Sequence, residues 1–501
     1  MTAPPSPPRL IVSLPGRSID ELRAEIAEAH GAGADWGEVR VDRLSGAAQA
    51  GLDGLFPSPI PLLATYRSAA EGGAGASDPS VRATLLQELA RQPFAGLDLE
   101  IARDLPVVAT LPAGSRELLA SVHLPEGTSP ELRRRARDEP LPPHAGRKIV
   151  VGAGVERWIH EILPEFEAAG ASPRVLLATG PASALSRAWA RRSGSFAVFA
   201  GLPRPGSSAG LRPSVEPGQL PVDRLRRFFA AEGGARLAGL AGRPVAHSRS
   251  PDLFDRFFVA DGTGGLYVLL ECADDREFVA VLPGLVAGGF RGLNVTHPFK
   301  AAALIAASRV DASAEACGVA NCLTFESGEI EARNTDLAAI RRRLAELRHE
   351  GRWDGRRLAI VGAGGAARAT LAAARELGAR ATIYARRPEV DAELARSFGA
   401  HVGAAEDAGP ERLIVHATPF GRAGTPELEI DVGPLLDGDA HLLDWVYAPE
   451  VPTLRHLAAA RRASYEDGWS LLVYQAAASY AAWWGREPAA GVVAAAREER
   501  P

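Results

Sequence analysis

Short apolar runs alternate with longer helix-like segments along residues 10 to 201. Eight of the runs have β character: Arg9–Leu14, Trp36–Val41, Pro61–Tyr66, Gly96–Ile101, Leu118–His123, Lys148–Ala153, Arg174–Thr179 and Ser195–Gly201. The segments between them include Ile19–His30, Ser80–Arg91 and Val155–Ala169. Eight strand–helix units predict a (β/α)8 barrel, in which catalytic side chains lie at the carboxyl ends of the strands. Prolines interrupt the connection from Glu100 to Leu118, so we expect one unit to be degraded.

A second α/β pattern follows the barrel. After Asp223–Ala231 the pair Gly233-Gly234 is typical of a linker, and a new strand is predicted to begin at Arg236. Further along, the buried-strand run Arg357–Val361 leads into a glycine-rich loop and then a helix-like stretch that ends at Leu377. A strand, a glycine loop and a helix in this order predict a dinucleotide-binding unit.

Composition and charge exclude several classes of protein. The chain has 501 residues, too many for one hydrophobic core. Its formal net charge is −5 without a long basic run, which argues against nucleic acid or an anionic membrane as a partner. No apolar stretch reaches the roughly 18 residues that span a bilayer, and no secretory or transit pattern precedes Leu10, so we expect a cytoplasmic protein. The cysteines, Cys272, Cys317 and Cys322, lack metal or disulfide spacing.

Lysine and asparagine are rare in this chain. Only two of its 56 basic residues are lysines, Lys148 and Lys300. Arginine can replace lysine as a surface charge, but not where a deprotonatable amine is needed, so we expect both lysines to be chemical groups rather than chance survivors. The asparagines, Asn294, Asn321 and Asn334, cluster in the second half. Their clustering favours a polar pocket that needs amides; turns and helix caps are the alternative.

Polar side chains lie at several strand ends of the predicted barrel. Glu38 and Arg40 are two residues apart and therefore share one face of a strand, which inside a barrel is the interior. Such a pair is either a structural ion pair or part of a site for an anionic substrate. Burial disfavours the charged form of Lys148, and a neutral amine can attack a ketone to form an imine. His123 is the plausible base at a strand end in this half, although a lone histidine is often structural.

Residues 9 to 230 resemble the type I 3-dehydroquinate dehydratases. The matching segments are Glu38–Asp42, Tyr66–Gly73, Ser121–Leu124, Arg147–Val150, Gly180–Arg187 and Pro217–Gln219. The resemblance implies that Lys148 forms a Schiff base with the substrate ketone and that His123, oriented by Glu38, is the acid–base group. It also implies that the substrate-binding residues are Arg187, for the carboxylate, and Arg40, Arg67 and Gln219.

The glycine loop of the second half carries a cofactor signature. Gly362, Gly364 and Ala367 match G-x-G-x-x-G/A between a strand and a helix. The next predicted strand is followed by Arg386 and Arg387, where NAD enzymes typically place an acid that binds the ribose hydroxyls. Two arginines instead suit a 2′-phosphate, so NADP(H) is predicted; solvated surface charges are the alternative.

Residues 236 to 490 resemble the shikimate dehydrogenases. The motifs are Gly242–Pro251, Asn294–Lys300, Gly318–Cys322, Asn334–Asp336, the glycine loop, Ala417–Gly421, Asp444–Pro449 and Asp467–Gln475. The resemblance implies that Ser248 and Ser250 bind the substrate carboxylate, and that Lys300 with Asp336 handles the proton that accompanies hydride transfer. It implies hydroxyl-binding roles for Asn321, Asp336, Thr296, Tyr447 and Gln475. The implied cofactor-binding residues are Gly362, Ala363, Gly364, Gly365, Ala366, Arg386, Arg387 and Gly468.

The sequence departs from both families at a few positions. Val215 stands where the dehydratases usually have serine, and the methionines usual near the end of the seventh strand are absent. In the second half, Pro251-Asp252 replaces a histidine-containing stretch, Cys322 replaces threonine and Arg387 stands where threonine is frequent. None of these changes removes a catalytic group.

Together the resemblances imply a bifunctional enzyme, because the product of the first reaction, 3-dehydroshikimate, is the substrate of the second. We predict a barrel over residues 9–231, a shikimate-binding α/β domain over 236–335, a Rossmann NADP-binding domain over 336–467 and a C-terminal helical segment over 468–490. The expected partners are small-molecule substrates without a metal, and an oligomer is compatible with this organisation. The alternatives are a regulatory pseudoenzyme, a quinate-reducing second half and an aldolase-like barrel.

The two arginines after the predicted cofactor strand lead to a prediction of cofactor preference. A hydrogen bond to a charged group contributes roughly 1.5–3 kcal/mol, which corresponds to about tenfold to hundredfold discrimination. We expect the wild type to prefer NADPH over NADH by this factor, and Arg386→Ala to lose more of the preference than Arg387→Ala. The measurement is kcat/KM for both cofactors in all three proteins. Equal use of NADH by the wild type would contradict the prediction.

Overall fold

The structure is a computed structural model that describes residues 7–108, 110–111, 116–142, 144–168, 174–203, 218–231, 236–403, 412–421, 430–436, 438–447 and 453–499. Val215, Pro217, the Gly233-Gly234 pair and the last two residues of the Asp444–Pro449 motif lie outside the described residues. The chain divides into two compact units, residues 1–290 and 291–500. The bounds of the four predicted domains stay predictions.

The first unit begins with eight parallel strands. They are β1 (Arg9–Leu14), β2 (Trp36–Arg40), β3 (Leu62–Thr65), β4 (Gly96–Glu100), β5 (Glu117–Leu124), β6 (Ala145–Gly152), β7 (Arg174–Thr179) and β8 (Ala197–Ala200). Their order in the sheet is β7-β6-β5-β4-β3-β2-β1-β8, and a parallel bridge between Arg174 and Ser195 links its two edges. The predicted barrel is therefore confirmed, with strand ends that differ from the prediction by at most three residues.

Nine helices accompany these strands in the described residues: α1 (Ile19–Gly31), α2 (Gly46–Ala50), α3 (Pro79–Leu89), α4 (Leu105–Val108), α5 (Pro130–Asp138), α6 (Val155–Arg157), α7 (Leu163–Ala168), α8 (Ser183–Ala188) and α9 (Val222–Ala230). A π-helical turn over Trp158–Ile162 joins α6 to α7. Helix α1 begins with a capping box in which Ser18 and Glu21 each accept from the other's backbone N–H. In the described part of the proline-interrupted connection after β4, the one helix is the four-residue α4, as expected for a degraded unit.

The barrel interior changes from apolar to polar along the strands. Trp36 of β2 and Leu63 of β3 lie in an apolar cluster that also includes Val175 of β7. Two residues further along the same strands, Glu38 and Thr65 line a polar cavity. Since side chains on one face of a strand recur every second residue, each strand supplies a core residue first and a cavity residue next. The apolar layer thus supports the cavity from below.

The first unit continues with β9 (Arg236–Gly242), α10 (Ser250–Ala260), β10 (Gly265–Glu271) and α11 (Asp275–Ala287). Strands β9 and β10 are parallel, with Gly265 opposite Arg236. The next four strands are β11 (Phe290–Val295), β12 (Arg309–Val310), β13 (Cys322–Glu326) and β14 (Glu329–Arg333). Strands β11, β13 and β14 pair antiparallel, with Leu293 opposite Leu323 and Leu323 opposite Ala332.

A separate six-stranded sheet lies wholly in the second unit. Its six parallel strands are β15 (Arg357–Val361), β16 (Arg380–Tyr384), β17 (His401–Val402), β18 (Leu413–His416), β19 (His441–Asp444) and β20 (Ser464–Glu466). Their order, β17-β16-β15-β18-β19-β20, is the doubly wound 3-2-1-4-5-6 order of the dinucleotide-binding fold. The predicted strand, glycine loop and helix unit is therefore confirmed as β15, a loop and the helix that begins at Gly365.

The described helices of the second unit are α12 (Lys300–Ala306), α13 (Ala312–Cys317), α14 (Thr335–His349), α15 (Gly365–Glu376), α16 (Pro388–Ser397), α17 (Thr453–Ala460), α18 (Trp469–Trp484) and α19 (Ala490–Glu498). The Arg343 side chain of α14 is buried and binds Glu350 and Glu466. These carboxylates, together with Glu346, compensate the charge of a guanidinium that burial would otherwise destabilise.

The described helices include none that is long and apolar enough to cross a membrane. The three cysteines are free and buried. Burial raises the pKa of each thiol to about 12, so they are inert apolar side chains at neutral pH.

The close contact between β11 and α18 provides a test of the packing in the second unit. A Cβ at Gly292 would lie 1.9 Å from Nε1 of Trp483. We expect Gly292→Ala to destabilise this unit by about 1–3 kcal/mol, as overpacking typically does, and to lower its thermal denaturation midpoint. The matched control is Gly491→Ala in α19, where an added Cβ meets nothing within 4 Å and the midpoint should stay equal or rise. Equal midpoints for Gly292→Ala and wild type would contradict the packing.

Candidate active sites

The carboxyl ends of the barrel strands surround an open cavity. Every barrel residue singled out in the sequence lies in its lining: Glu38, Arg40, Arg67, His123, Lys148, Arg187 and Gln219. Ser13, Thr65, Glu71 and Thr179 add further polar groups, and Phe199 is one of the apolar ones. A concave site with a few convergent polar groups is the usual form of a small-molecule pocket.

Lys148 projects into this cavity from the middle of β6. Its side chain is 5% exposed, which excludes a role as a surface charge. Nζ lies 3.1 Å from Oδ2 of Asp98 and 3.8 Å from Oε1 of Glu38. Nζ also lies 3.8 Å from the centre of the Phe199 ring, a cation–π distance. The amine is therefore fixed between two carboxylates and an aromatic face.

Asp98, at the centre of β4, was not anticipated from the sequence. Its Oδ1 accepts hydrogen bonds from Nη2 of Arg67 at 3.0 Å and from Oγ of Ser121, and its Oδ2 accepts from Lys148. Burial alone would raise the pKa of this carboxyl, but Arg67 and Lys148 outweigh burial and lower it. Asp98 is thus a fixed negative charge that holds two cations in the cavity.

The carboxylate that contacts His123 is that of Glu71. Oε2 of Glu71 lies 3.1 Å from Nδ1 of His123 and also accepts from the His123 backbone N–H. The same oxygen lies 3.1 Å from Nη1 of Arg67. Burial, together with the nearby carboxylates of Glu100 and Asp98, raises the pKa of Glu71 to about 7 although Arg67 opposes the shift. Glu71 therefore changes charge near neutral pH.

The imidazole of His123 is neutral at neutral pH. Burial, then the positive charges of Arg67 and Lys148, lower its pKa well below the ordinary value. A neutral imidazole can accept a proton, which is what a base beside an imine requires. The strand-end position of His123 predicts its role as a base. Glu71 lies within the Tyr66–Gly73 motif, but the sequence predicts no role for it.

Glu38, expected to orient His123, has other contacts. Its carboxylate accepts hydrogen bonds from Oγ of Ser13 at 2.6 Å and from Oγ1 of Thr65 at 2.8 Å, and it faces Lys148. Gln219 donates to the same Ser13 hydroxyl at 3.1 Å. Glu38 therefore lies on the lysine side of the cavity, and its assigned role toward His123 stays a prediction.

Two arginines of the cavity are held rigidly. Arg40 forms a two-pronged ion pair with Asp42, with both N–O distances at 2.9 Å. Arg187 donates to the carbonyl oxygens of Ala178 and Phe199 and to Oγ of Ser183. A guanidinium fixed in this way does not lose conformational freedom when it binds an anion.

The second unit brings Lys300 and Asp336 together. Lys300 is the first residue of α12 and Asp336 lies in the first turn of α14, and Nζ is 2.5 Å from Oδ2. A Cβ at Gly365 would lie 2.9 Å from Cδ of Lys300, so the lysine also lies against the start of α15. The two predicted proton-handling groups are adjacent to each other and to the glycine loop.

The rare asparagines have partly structural roles. Nδ2 of Asn294 donates to the Asn321 carbonyl and to Oγ of Ser479. Asn334 is the N-cap of α14, where its side chain accepts from the N–H of Leu337. Oδ1 of Asn321 accepts from the Thr335 N–H at 2.6 Å. The cap and turn explanation therefore applies to Asn334, while Asn321 stays a predicted ligand next to Asp336 in the fold.

The loop between β15 and α15 fits a dinucleotide pyrophosphate. Gly362 has a φ of 112°, which strongly favours glycine, and a Cβ there would lie 2.9 Å from Thr418. The N-cap of α15 is Gly364, which has no side chain to cap the first N–H groups, and a Cβ there would meet nothing within 4 Å. Backbone N–H groups at a helix N-terminus bind phosphate oxygens. Arg386 and Arg387 are exposed just beyond β16.

The remaining predicted residues have different degrees of burial. Ser248 and Ser250 belong to the first unit, at the start of α10, and Oγ of Ser248 accepts from the Ser250 N–H at 3.2 Å. In the second unit Gln475 is buried and donates to the Leu472 carbonyl. Tyr447 makes an edge contact with Trp469. In the glycine loop, Ala363 lies between Gly362 and Gly364, and Ala366 follows Gly365. Thr296 is half-buried after β11, and Gly468 is the N-cap of α18.

No group of three or more His, Cys, Asp or Glu side chains in the described part of the chain has the arrangement of a metal site.

Comparison with known proteins supports two separate regions. The type I 3-dehydroquinase family matches residues 10–137, and the shikimate dehydrogenase substrate binding domain family matches residues 240–323. A shikimate dehydrogenase (NADP(+)) of Acidiphilium cryptum is 40% identical over 264 residues, which cover 51% of this chain and 93% of that protein. The corresponding protein of Dinoroseobacter shibae is 38% identical and covers 50% and 93%.

Some solved structures are similar to one half of this chain, and one is similar to both halves. Shikimate dehydrogenase from Aquifex aeolicus is 27% identical and covers 54% of this chain and 99% of its own, with a TM-score of 0.47. Dehydroquinate dehydratase and shikimate dehydrogenase from S. pombe AroM is 22% identical and covers 99% of both chains, with a TM-score of 0.43.

The carboxylates of Glu71 and Glu38, which line the cavity, lead to a prediction of how the dehydration rate depends on pH. The ionised form of Glu71 accepts the Nδ1 proton and stabilises a positive imidazole, and it is populated above about pH 7. Wild-type dehydration of 3-dehydroquinate should therefore fall as the pH drops through about 7. In Glu71→Gln this limb should disappear and kcat should fall roughly 10²-fold, the low end for an acid–base group.

Glu38→Gln is the matched control for this experiment, measured over the same pH range. It should lower kcat while the acidic limb stays in place, because Glu38 contacts Ser13, Thr65 and Lys148. Loss of the limb in Glu38→Gln and its retention in Glu71→Gln would instead support Glu38 as the group that orients His123.

Proposed function

From the premise that this chain belongs to the shikimate dehydrogenase family and carries a type I 3-dehydroquinase region before it, we propose that it catalyses two consecutive steps of aromatic biosynthesis. The barrel dehydrates 3-dehydroquinate to 3-dehydroshikimate through a lysine Schiff base. The C-terminal half reduces 3-dehydroshikimate to shikimate with NADPH. The observation that carries the first activity is that buried Lys148 and the half-buried imidazole of His123 line one cavity.

Dehydration begins with the amine of Lys148. The Lys148 ammonium first gives a proton to the neighbouring carboxylate of Glu38. The neutral nitrogen then adds to the substrate ketone carbon, and the same proton returns as the carbonyl oxygen leaves as water, which gives a protonated imine. The imine withdraws electrons from the neighbouring carbon, so its C–H bond becomes acidic. Phe199 and the carboxylates of Asp98 and Glu38 surround this nitrogen and stabilise the positive charge that it carries.

His123 carries the proton through the elimination. Its neutral imidazole takes the proton from the carbon next to the imine, and the electron pair forms an enamine. The enamine then expels the hydroxyl group on the following carbon, which leaves as water after it receives the proton from His123. Glu71, at 3.1 Å from Nδ1, stabilises the imidazolium between the two transfers. Hydrolysis of the imine releases the product and restores the Lys148 amine.

Arginines fit an anionic substrate in this cavity. Arg187 is fixed by backbone carbonyls, and we assign it the substrate carboxylate. Arg40 and Gln219 complete the lining toward the substrate hydroxyls. Arg67 binds Glu71 and Asp98, so its main contribution is to set the charges of the catalytic groups.

In the second half NADPH supplies the hydride for the ring carbonyl carbon. Lys300 donates the proton that the carbonyl oxygen needs. Asp336, 2.5 Å from Nζ of Lys300, then passes a proton from solvent to the lysine and restores its charge. The glycines of residues 362–365 and the N-terminus of α15 hold the pyrophosphate. Arg386 and Arg387 bind the 2′-phosphate, and Asn321 with Tyr447 and Gln475 binds substrate hydroxyls.

The covalent step can be tested with borohydride. Incubation with 3-dehydroquinate and borohydride should add the mass of the reduced substrate to the peptide that contains Lys148. Because the chain has only two lysines, Lys300 provides the internal control and should stay unlabelled. Lys148→Arg should lose the label and the dehydration, while His123→Ala should keep the label and lose about 10²–10⁴-fold in kcat.

The second activity is measured on the same proteins. Lys300→Met should lose the reduction of 3-dehydroshikimate while its dehydration and its Lys148 label stay as in wild type. A label on another residue, or near-normal dehydration by Lys148→Arg, would refute the Schiff-base assignment.

A further inference from the structure

Helix α9, the last helix of the barrel region, forms ion pairs with α10 inside the first unit. Nη2 of Arg224 lies 2.8 Å from Oδ1 of Asp252, and its Nε lies 3.3 Å from Oδ2 of Asp255. Nη2 of Arg227 lies 2.6 Å from Oδ1 of Asp255. The side chains of Arg224, Asp252 and Asp255 are 9%, 6% and 10% exposed, so salt screens these pairs only weakly.

Other contacts join the same two regions. A Cβ at Gly264 would lie 2.4 Å from the carbonyl oxygen of Arg227. Nε1 of Trp189 donates to the Gly288 carbonyl at 3.0 Å, and Arg276 forms a two-pronged pair with Glu156 at 2.9 Å. Residues 236–290 are therefore packed against the barrel, and the ion pairs of α9 are part of a continuous contact.

The aspartates lie next to the predicted carboxylate-binding serines. Helix α10 begins at Ser250, and Asp252 lies in its first turn. Ser248 is coupled to this turn because its Oγ accepts the Ser250 N–H. An uncompensated carboxylate at position 252 would repel an anionic substrate and oppose the attraction of the helix N-terminus for anions. Arg224 supplies the nearest compensating charge, at 2.8 Å, and Arg249 adds to it from 3.9 Å.

The acidic residues also explain a departure in the sequence. Pro251-Asp252 stands where shikimate dehydrogenases usually carry a histidine-containing stretch. Asp252 and Asp255 are three residues apart and lie on one side of α10, which is the side that α9 contacts. One of the two acidic positions that meet the arginines of the barrel, Asp252, is thus a position where the sequence departs from the family.

We propose, on the basis of the proposed function, that Arg224 and Arg227 of the barrel are positioning residues for the reductase. Arg224 neutralises Asp252 in the first turn of α10, so that Ser248 and Ser250 receive the substrate carboxylate without a repelling charge beside them. Arg227 fixes the next turn through Asp255. The barrel is therefore a structural part of the reductase site as well as an enzyme.

The same helix connects this contact to the dehydratase cavity. Gln219, which lines the cavity and donates to Ser13, precedes the start of α9 by three residues. One short segment therefore supplies a lining residue to the first site and the arginine that supports the second.

The test measures both reactions in the full chain. Arg224→Ala should raise KM for 3-dehydroshikimate about tenfold, with kcat of reduction changed less than about twofold, because contacting charges couple strongly. Its kcat/KM for dehydration should stay as in wild type. Adding Asp252→Ala to Arg224→Ala should restore KM, since the repelling charge is then gone. The matched control is Arg226→Ala, whose arginine pairs with Asp35 of the barrel and should leave reductase KM unchanged.

The outcomes separate this inference from the proposed function. A wild-type protein that does not reduce 3-dehydroshikimate refutes the proposed function itself. An active wild type with unchanged KM in Arg224→Ala, or a double variant that fails to restore KM, overturns the inference alone. If Arg224→Ala does not fold, Asp252→Asn decides: KM at or below the wild-type value supports the inference, and a several-fold rise overturns it.

Discussion

The charge arrangement of the barrel depends on the buried carboxylate of Asp98. Arg67 and Lys148 both lie within about 3 Å of it, in a cavity whose far wall is apolar. Two buried cations repel each other, and leaving one without its partner costs several kcal/mol, roughly 3–5 when a buried pair is broken. Asp98 removes this cost, and its hydrogen bond from Ser121 fixes its orientation. Asp98 is the carboxylate that the two cations share, while Glu71 is a further partner of Arg67 and Glu38 a further partner of Lys148.

The same charges set the protonation of the catalytic groups. Arg67 and Lys148 add to burial in lowering the pKa of His123, which leaves the imidazole free to take a proton. Glu71 lies beside Arg67 and yet has a raised pKa, because burial and two neighbouring carboxylates outweigh the guanidinium. A neutral base and a carboxylate that titrates near neutrality are thus adjacent, which is the pairing that an acid–base step requires.

Fusion has a physical consequence beyond joining two enzymes. The barrel presents the arginines of α9 to the acidic residues of α10. Buried ion pairs are sensitive to the loss of one partner, so the acidic residues of α10 and the arginines of α9 depend on each other. The stability of α10 is therefore tied to the barrel.

The sequence by itself determined the architecture and most of the chemical groups. Alternation of apolar runs with helical segments located all eight barrel strands, because a parallel strand buried on both faces is a continuous apolar run. The scarcity of lysine identified Lys148 and Lys300, since arginine cannot replace a reactive amine. Only the tertiary structure decided which carboxylate meets which partner. Asp98 meets Lys148, Glu71 meets His123 and Asp252 meets Arg224, and each of these partners is distant in sequence. Ion pairs of this kind depend on how strands and helices pack in space, and no local pattern records that packing.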